Sequence, residues 1–380
     1  MEKKNKEIKK IILAICYDFD KTLSPDDMQA QGYIQSVGDA VKDFWTESNG
    51  LAQDNEMDQN LAYMYLMLKK SRGKNLFTRE TLKTAGSKVT LFNGVDTWFD
   101  RINQYGIEHN ILIEHYIISS GLKEMIEGTS VANKFKKIYA SSFYFDDTGV
   151  AVWPAQVVNY TNKTQFLFRI KKGFLDVNDQ QVNTYIEPSK FRVPFRNMVY
   201  IGDSDTDIPC MKLVNTNGGY SIGVYNSETK DKSKVFKMLN ENRIKYFVPS
   251  DYSENSELDN LLKHIIDRTQ TNEVLENKYY NCIEEKEQEI HQKSEEEREK
   301  DDLINQLESS SSFMNTHKII KLLESRNNWS KMQKDKLMNI ALTNNQVRYI
   351  LTDDDVKAFF TIIIDKDNCK IAKEIRKEIS

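Results

Sequence analysis

The hydrophobic pattern of this chain changes period several times, and each change marks an element. Ile11 to Tyr17 runs seven residues without a charge and stops at Asp18. Short and rich in branched residues, this run predicts a strand buried on both faces, as in a parallel sheet. From Ser24 to Phe92 the period is helical. Tyr33, Ile34, Val37, Val41, Phe44 and Trp45, then Leu61, Met64, Tyr65 and Leu68, recur at spacings of three and four, punctuated by Pro25 and Gly50. This predicts a separate helical lobe after the first strand. Gly94 to Gly106 predicts an amphipathic helix with Val95, Trp98, Phe99 and Ile102 on one face. An apolar strand beginning at His115 ends in Ser119-Ser120-Gly121, and Ile138–Phe145 and Gly149–Trp153 flank a turn as a hairpin. A helix starts near Asn159–Lys163, capped by Asn or Thr. Asn197–Gly202 is a further strand, followed by shorter ones at Gly219–Tyr225 and Lys245–Val248 and a closing helix, Leu258–Ile266. Strands alternating with helices predict an α/β core, a doubly wound, Rossmann-like parallel sheet with helices on both faces.

The pattern then changes character. Glu284 to Asp302 is nearly all charged or amide residues, with Ile290 the lone aliphatic. Glu289/Lys293 and Glu296/Lys300 are spaced to support a helix by a few tenths of a kcal/mol per pair. Ile283, Ile290 and Ile304 share one heptad position, but Glu297 interrupts them, so a solvated helical spacer fits better than a coiled coil. After Ser309–Ser312, Phe313–Ser380 regains apolar periodicity and predicts three or four short helices, with Thr352–Asp355 as a cap. The expected organisation is therefore a core of 1–24 and 93–268, a helical insertion at 25–92, a charged linker at 269–312 and a small helical domain at 313–380. That last block reads as an interaction module, for a protein partner or for self-association.

Composition narrows the picture further. The 380 residues suffice for two or three domains, and 39% hydrophobic residues can build real cores. A net charge of −4 gives no general attraction for nucleic acid or anionic membrane. The four cysteines, Cys16, Cys210, Cys282 and Cys369, stand far apart and suggest neither a disulfide framework nor a zinc site, which fits a reducing compartment. The charged N-terminus leads into a short apolar run that ends in Asp-Phe-Asp, a strand rather than a signal peptide, and no run approaches a membrane span. A cytoplasmic protein is the expectation.

The chemistry gathers where strands end. Asp18 and Asp20 lie just past the first strand, where open α/β sheets bind ligands. Two carboxylates this close repel, so they ask for a cation or a shared proton. An Asp-x-Asp is also a common capped turn. Beyond Ser119, the small Ser120 and Gly121 let backbone N–H groups approach a bound oxygen. Lys163 sits just inside a helix start, away from the dipole end that favours cations; Lys171 and Lys172 compete with it, but at a helix end where lysines are ordinary. Gly202-Asp203 and Asp207 follow the later strand and enter a helix.

Asp18-Phe-Asp-Lys-Thr-Leu23, the strand ending in Ser119, Lys163, and Gly202-Asp203-x-x-x-Asp207 stand in the order of the four motifs of the haloacid dehalogenase superfamily, which the chain resembles over about 11–268. The resemblance implies a phosphatase with the insertion as its cap, most similar to phosphoserine-phosphatase-like members. It implies hydrolysis of a small phosphate monoester through an aspartyl-phosphate on Asp18, with Asp20 as general acid and base. Thr22 and Ser119 would bind phosphoryl oxygens, and Lys163 and Mg²⁺ would neutralise charge, the metal site drawing on Asp18, Asp20, Asp203 and Asp207. Asp27 lies where such members carry an acid that meets substrate, though Asp26-Asp27 after Pro25 also suits a helix start. The alternatives are a nucleotide or nucleic-acid-end phosphatase targeted by the C-terminal block, or a regulatory protein on the same core. Asp26–Lys88 carries nine acidic and eight basic residues, a net of −1 that does not suit a polynucleotide groove.

Overall fold

In the computed structural model, residues 11–365 and 367–379 are described, apart from the side chains of residues 290–292. The charged N-terminal stretch 1–10 and the heptad role of Ile290 therefore lie outside the described residues. Seven strands form one sheet: β1 (Ile11–Tyr17), β2 (Ile111–Leu122), β3 (Lys137–Phe145), β4 (Ala151–Gln156), β5 (Met198–Gly202), β6 (Tyr220–Tyr225) and β7 (Tyr246–Pro249). Their order is β4-β3-β2-β1-β5-β6-β7, parallel except for the β3–β4 hairpin. From β1 the chain first winds to one side through β2 and β3, then to the other through β5. The topological switch point thus falls between β1 and β5, where Tyr17 pairs with Ile117 on one side and Ile201 on the other.

The apolar run of β1 is explained by its place at the centre. Leu13, Ile15 and Tyr17 enter the core on one face, while Ala14 and Cys16 enter the core on the opposite face. At roughly 1.5–3 kcal/mol for each large apolar side chain buried, this strand is a principal source of stability. Tyr17 also accepts a hydrogen bond from Trp98 Nε1 at 2.9 Å and meets His115 Nδ1 at 3.0 Å. Burial pushes the His115 imidazole down to about 3, so it is neutral.

The insertion consists of α1 (Tyr33–Ser36), α2 (Val41–Asp54), α3 (Gln59–Ser71) and α4 (Arg79–Gly86). The Phe92 N–H donates to the Leu23 carbonyl at 2.9 Å, so the chain re-enters the core beside the point where it left. Next come α5 (Val95–Glu108), which buries the predicted Val95, Trp98, Phe99 and Ile102, and the short α6 (Lys123–Ile126). A Cβ on Gly86 would lie 1.9 Å from the Met125 carbonyl oxygen, and one on Gly128 2.0 Å from that of Lys83. The fourth helix of the insertion is therefore packed backbone to backbone against α6, an approach only glycine permits.

After β4 follow α7 (Thr164–Lys172), α8 (Ile208–Thr216), α9 (Ser233–Asn240) and α10 (Glu257–Gln292). The irregular stretch 176–195 lies against α7. The Arg169 guanidinium donates to the carbonyls of Asp176, Val177 and Asp179, and Lys172 to those of Val182 and Thr184.

Contacts divide the chain into two compact units, Met1–Asn277 and Lys278–Ser380, with the division inside α10. The second unit continues with α11 (Glu295–Glu308), α12 (Phe313–Glu324), α13 (Lys331–Thr343), α14 (Asn345–Tyr349), α15 (Asp354–Ile363) and α16 (Lys370–Glu378). The expectation of a solvated spacer over 269–312 needs correction here. Leu303, Ile304 and Leu307 of α11 are buried in one core with Ile319, Leu337 and Phe359. Their spacing of three and four puts them on one helix face, hidden in the sequence among charged neighbours. The closing helix also runs well past Ile266. Among the described residues, no helix is long and apolar enough to cross a membrane.

Candidate active site

Because β1 and β5 are neighbours, the residues that follow them meet. The Asp18 N–H donates to the Ile201 carbonyl at 3.0 Å, tying the end of β1 to β5. Oxygen atoms of Asp18, Asp203 and Asp207 lie within 4.8 Å of one another, and all three residues are buried. Lys163, just before α7, is fully buried with its ammonium 3.3 Å from Asp18 Oδ1 and 2.7 Å from Asp207 Oδ1. Tyr200 Oη donates to the same Asp207 oxygen at 2.9 Å. The approach is close: a Cβ on Gly202 would lie 2.5 Å from Asp207 Oδ2.

The electrostatics follow from burial and crowding. Desolvation and the Asp207 charge push Asp18 up to about 6, although Lys163 pulls the other way. Desolvation with Asp207 and Asp18 pushes Asp203 up to about 8. Asp20 is also raised well above the usual carboxylate range, by burial, Asp27 and Asp18. For Lys163 burial works downward, but Asp18 and Asp207 outweigh it and the net shift is upward. Asp18 Oδ1 is buried and accepts no hydrogen bond. An all-oxygen donor set of three clustered, buried carboxylates fits a hard divalent cation such as Mg²⁺. Asp18, Asp203 and Asp207 would hold it. The carboxylate of Asp20 is not one of this group; its Oδ1 accepts the Met28 N–H at 2.8 Å.

A cavity of about 480 Å³ opens over this cluster. Asp18, Asp20, Ser119, Ser120, Gly121, Asp27 and Asp203 line it. Ser119 is buried, and its Oγ accepts the Gly121 N–H at 3.1 Å. Gly121 is required by space: a Cβ there would lie 2.3 Å from Met28 Cε and 3.0 Å from Asp20 Oδ2. Asp27 pairs with Lys21 at 2.9 Å, and Lys21 itself adopts a left-handed φ of 58°.

Thr22 and Lys163, both expected at the site, lie outside the lining. Thr22 does not line the cavity: its side chain is fully buried, its Oγ1 has no hydrogen-bond partner, and its carbonyl accepts from Tyr252 Oη. The turn after Asp20 folds the Thr22 side chain inward, where it is fully buried. Lys163 is absent from the lining as well and lies beneath Asp18, where it serves the carboxylates directly. The sequence reading missed the opposite wall, which includes Met57, Asp58, Gln59 and Asn60 at the start of α3 and Asn159 and Tyr160 before α7. The only signal for Asp58 was an ordinary helix cap, and that for Asn159 an ordinary turn.

The strand order, the switch point and the four converging segments decide the classification of the core. The core is a doubly wound, mostly parallel α/β sheet with its acidic residues at the switch point. No family model matches the sequence. An uncharacterized protein of Borreliella burgdorferi is 28% identical over 279 residues, covering 66% of this chain and 94% of that protein. Among solved structures, a HAD family hydrolase of Salmonella enterica serovar Typhi aligns with a TM-score of 0.43 at 17% identity, covering 66% of this chain and 70% of its own. A phosphoserine phosphatase, solved as a phospho-aspartyl intermediate analogue, aligns with a TM-score of 0.41 at 13% identity, covering 67% and 99%.

Proposed function

We propose that this protein hydrolyses phosphate monoesters of small metabolites. The observation that carries the reading is the convergence of Asp18, Asp20, Ser119 and Asp203 on one cavity at the switch point, with Lys163 buried beneath Asp18. An Asp18 oxygen attacks phosphorus, and the bond to the leaving oxygen breaks as Asp20 delivers its proton. The raised pKa of Asp20 keeps that proton available. Asp20, now a carboxylate, then takes a proton from water as the water oxygen attacks the aspartyl-phosphate, releasing phosphate and free Asp18. Ser119 and nearby backbone N–H groups hydrogen-bond the phosphoryl oxygens, and Lys163 holds Asp18 ionised and oriented. When bound, a divalent cation supplies charge neutralisation at the phosphoryl group.

The lining narrows the substrate. Among the described residues, no arginine lines the cavity; of its two lysines, Lys21 pairs with Asp27 and Lys234 lies 4.0 Å from Asp203. A leaving group bearing a carboxylate finds little counter-charge there. The amide, carboxylate and phenol groups of Asn60, Asn159, Asp58 and Tyr160 suit hydroxyls. A volume of about 480 Å³ suits a small molecule. Turnover of p-nitrophenyl phosphate and of a metabolite panel with Mg²⁺ tests the reading. Asp18→Asn is expected to abolish turnover with the fold retained; residual turnover in pure variant protein contradicts the assignment.

A further inference from the structure

The helix α3 is fastened at three points to the two core segments that carry the phosphoryl-binding groups. Asn159 Nδ2 donates to Asp58 Oδ2 at 2.7 Å, and Asn60 Nδ2 donates to the Val158 carbonyl at 2.8 Å. Tyr63 Oη donates to the Ser120 carbonyl at 2.8 Å. Each contact joins residues far apart in sequence, and each ends beside a site group. Asn159 organises the turn that presents Lys163: its carbonyl accepts the N–H groups of Asn162 and Lys163, and its Oδ1 accepts from Thr161. Ser120 adjoins Ser119. Asp58, in turn, caps α3 by accepting the N–H groups of Asn60 and Leu61 on Oδ1, which leaves Oδ2 for Asn159.

We infer that the Asp58–Asn159 pair is a latch that couples closure of the insertion to the placement of Lys163. The inference rests on the phosphatase reading for its catalytic consequence. Asp58, Asn60 and Asn159 all line the cavity, so the contacts that hold α3 to the core lie at its wall. The fourth helix cannot provide this movement, because Gly86 and Gly128 lock it against α6 and its neighbouring turn. Access therefore falls to the α3 side. Its polar contacts are few and exchangeable with water, as a reversible closure requires. Asp58 and Asn159 are positioning residues in this scheme.

The chemistry of the pair allows a reciprocal test. Asn159→Asp places two carboxylates face to face while its Oδ1 can still accept from Thr161. Asp58→Asn keeps the helix cap, since Asn and Asp cap equally well. The double variant, Asp58→Asn with Asn159→Asp, restores one donor facing one acceptor with the direction reversed. With p-nitrophenyl phosphate as probe, Asn159→Asp is expected to lower kcat by about tenfold or more, and the double variant to recover to within about threefold of the parent. Amide hydrogen exchange over residues 57–66 should rise in Asn159→Asp and fall back in the double variant. If the contact only supports the fold, the melting temperature drops, kcat is unmoved and the two substitutions simply add; that result overturns the latch. If the parent protein does not hydrolyse the probe, the phosphatase reading fails instead. The exchange measurement then still decides the latch, with unchanged exchange in Asn159→Asp refuting it.

Discussion

Asp203 is the most strained ionisable group of the cluster, and its replacement gives a quantitative test of the electrostatics. The carboxyl is 9% exposed and shifted from 3.8 to about 8 by burial, Asp207 and Asp18. For an acid with a raised folded pKa, neither state is ionised below the unfolded value. As pH rises past 3.8 the unfolded chain ionises first, so metal-free stability falls until the folded pKa is passed. The single-group penalty is about 2 kcal/mol at pH 5 and about 5 kcal/mol at pH 8, from 1.36 kcal/mol per unit over the 3.8-to-8 shift. Asp203→Asn has no charge to bury, so in EDTA the variant should be more stable than the parent, with a gap that widens from pH 5 to pH 8. Urea denaturation of the full chain at several pH values, with and without EDTA, measures it. With saturating Mg²⁺ the order should reverse, because the parent gains binding free energy that the variant has largely lost. A variant less stable than the parent in EDTA, or a gap indifferent to pH, refutes the account of a carboxylate held at a cost for its ligand.

Two further substitutions probe the rest of the structure. Glu114, buried in β2, takes Arg192 at 2.7 and 2.5 Å together with Lys136 and Tyr116; burial opposes its charge, but these partners hold it down to about 2. That stability is present above the ordinary value of 4.5 and lost as pH falls towards 2, so Glu114→Gln should cost about 3 kcal/mol at pH 7 and progressively less below pH 4.5, as acid titration of stability would show. Leu307→Ala in α11 should destabilise the Lys278–Ser380 unit by about 2–5 kcal/mol in calorimetry, whereas a solvated-spacer position would cost almost nothing.

What the sequence disclosed and what it concealed have a common physical basis. A strand buried on both faces is a contiguous apolar run, so Ile11–Tyr17 and Met198–Gly202 were legible, and with them Asp18 and Asp203 at their ends. The start of β2 was less legible because Glu114 interrupts the apolar pattern, tolerated there only through cationic partners distant in sequence. Asp58 and Asn159 were missed for a different reason. Each looks local, a cap and a turn, and only folding brings residues 101 positions apart to hydrogen-bond distance. The burial of Thr22 was concealed because a motif read as a line of letters does not show which way each side chain turns. The α11 core residues were masked by composition: three apolar positions among charges carry little weight until their common face is known.

The charge balance of the site ties these observations to one requirement. Asp18, Asp203 and Asp207, fully ionised, carry three negative charges around one buried cation, Lys163. The Lys163 ammonium is committed mainly to Asp207, which Tyr200 also serves, so it leaves Asp18 and Asp203 short of positive charge. Burial and the neighbouring carboxylates push Asp18 up to about 6 and Asp203 up to about 8. The excess of two negative charges matches one divalent cation, or two protons in its place. A monovalent ion leaves the cluster undercharged, and a second lysine would bring no coordination geometry to orient a phosphoryl group. Unpaired carboxylates in a buried cluster lower stability, and under the proposed reading the missing charge arrives with the ligand. Folding stability is therefore lowest where binding has the most to restore.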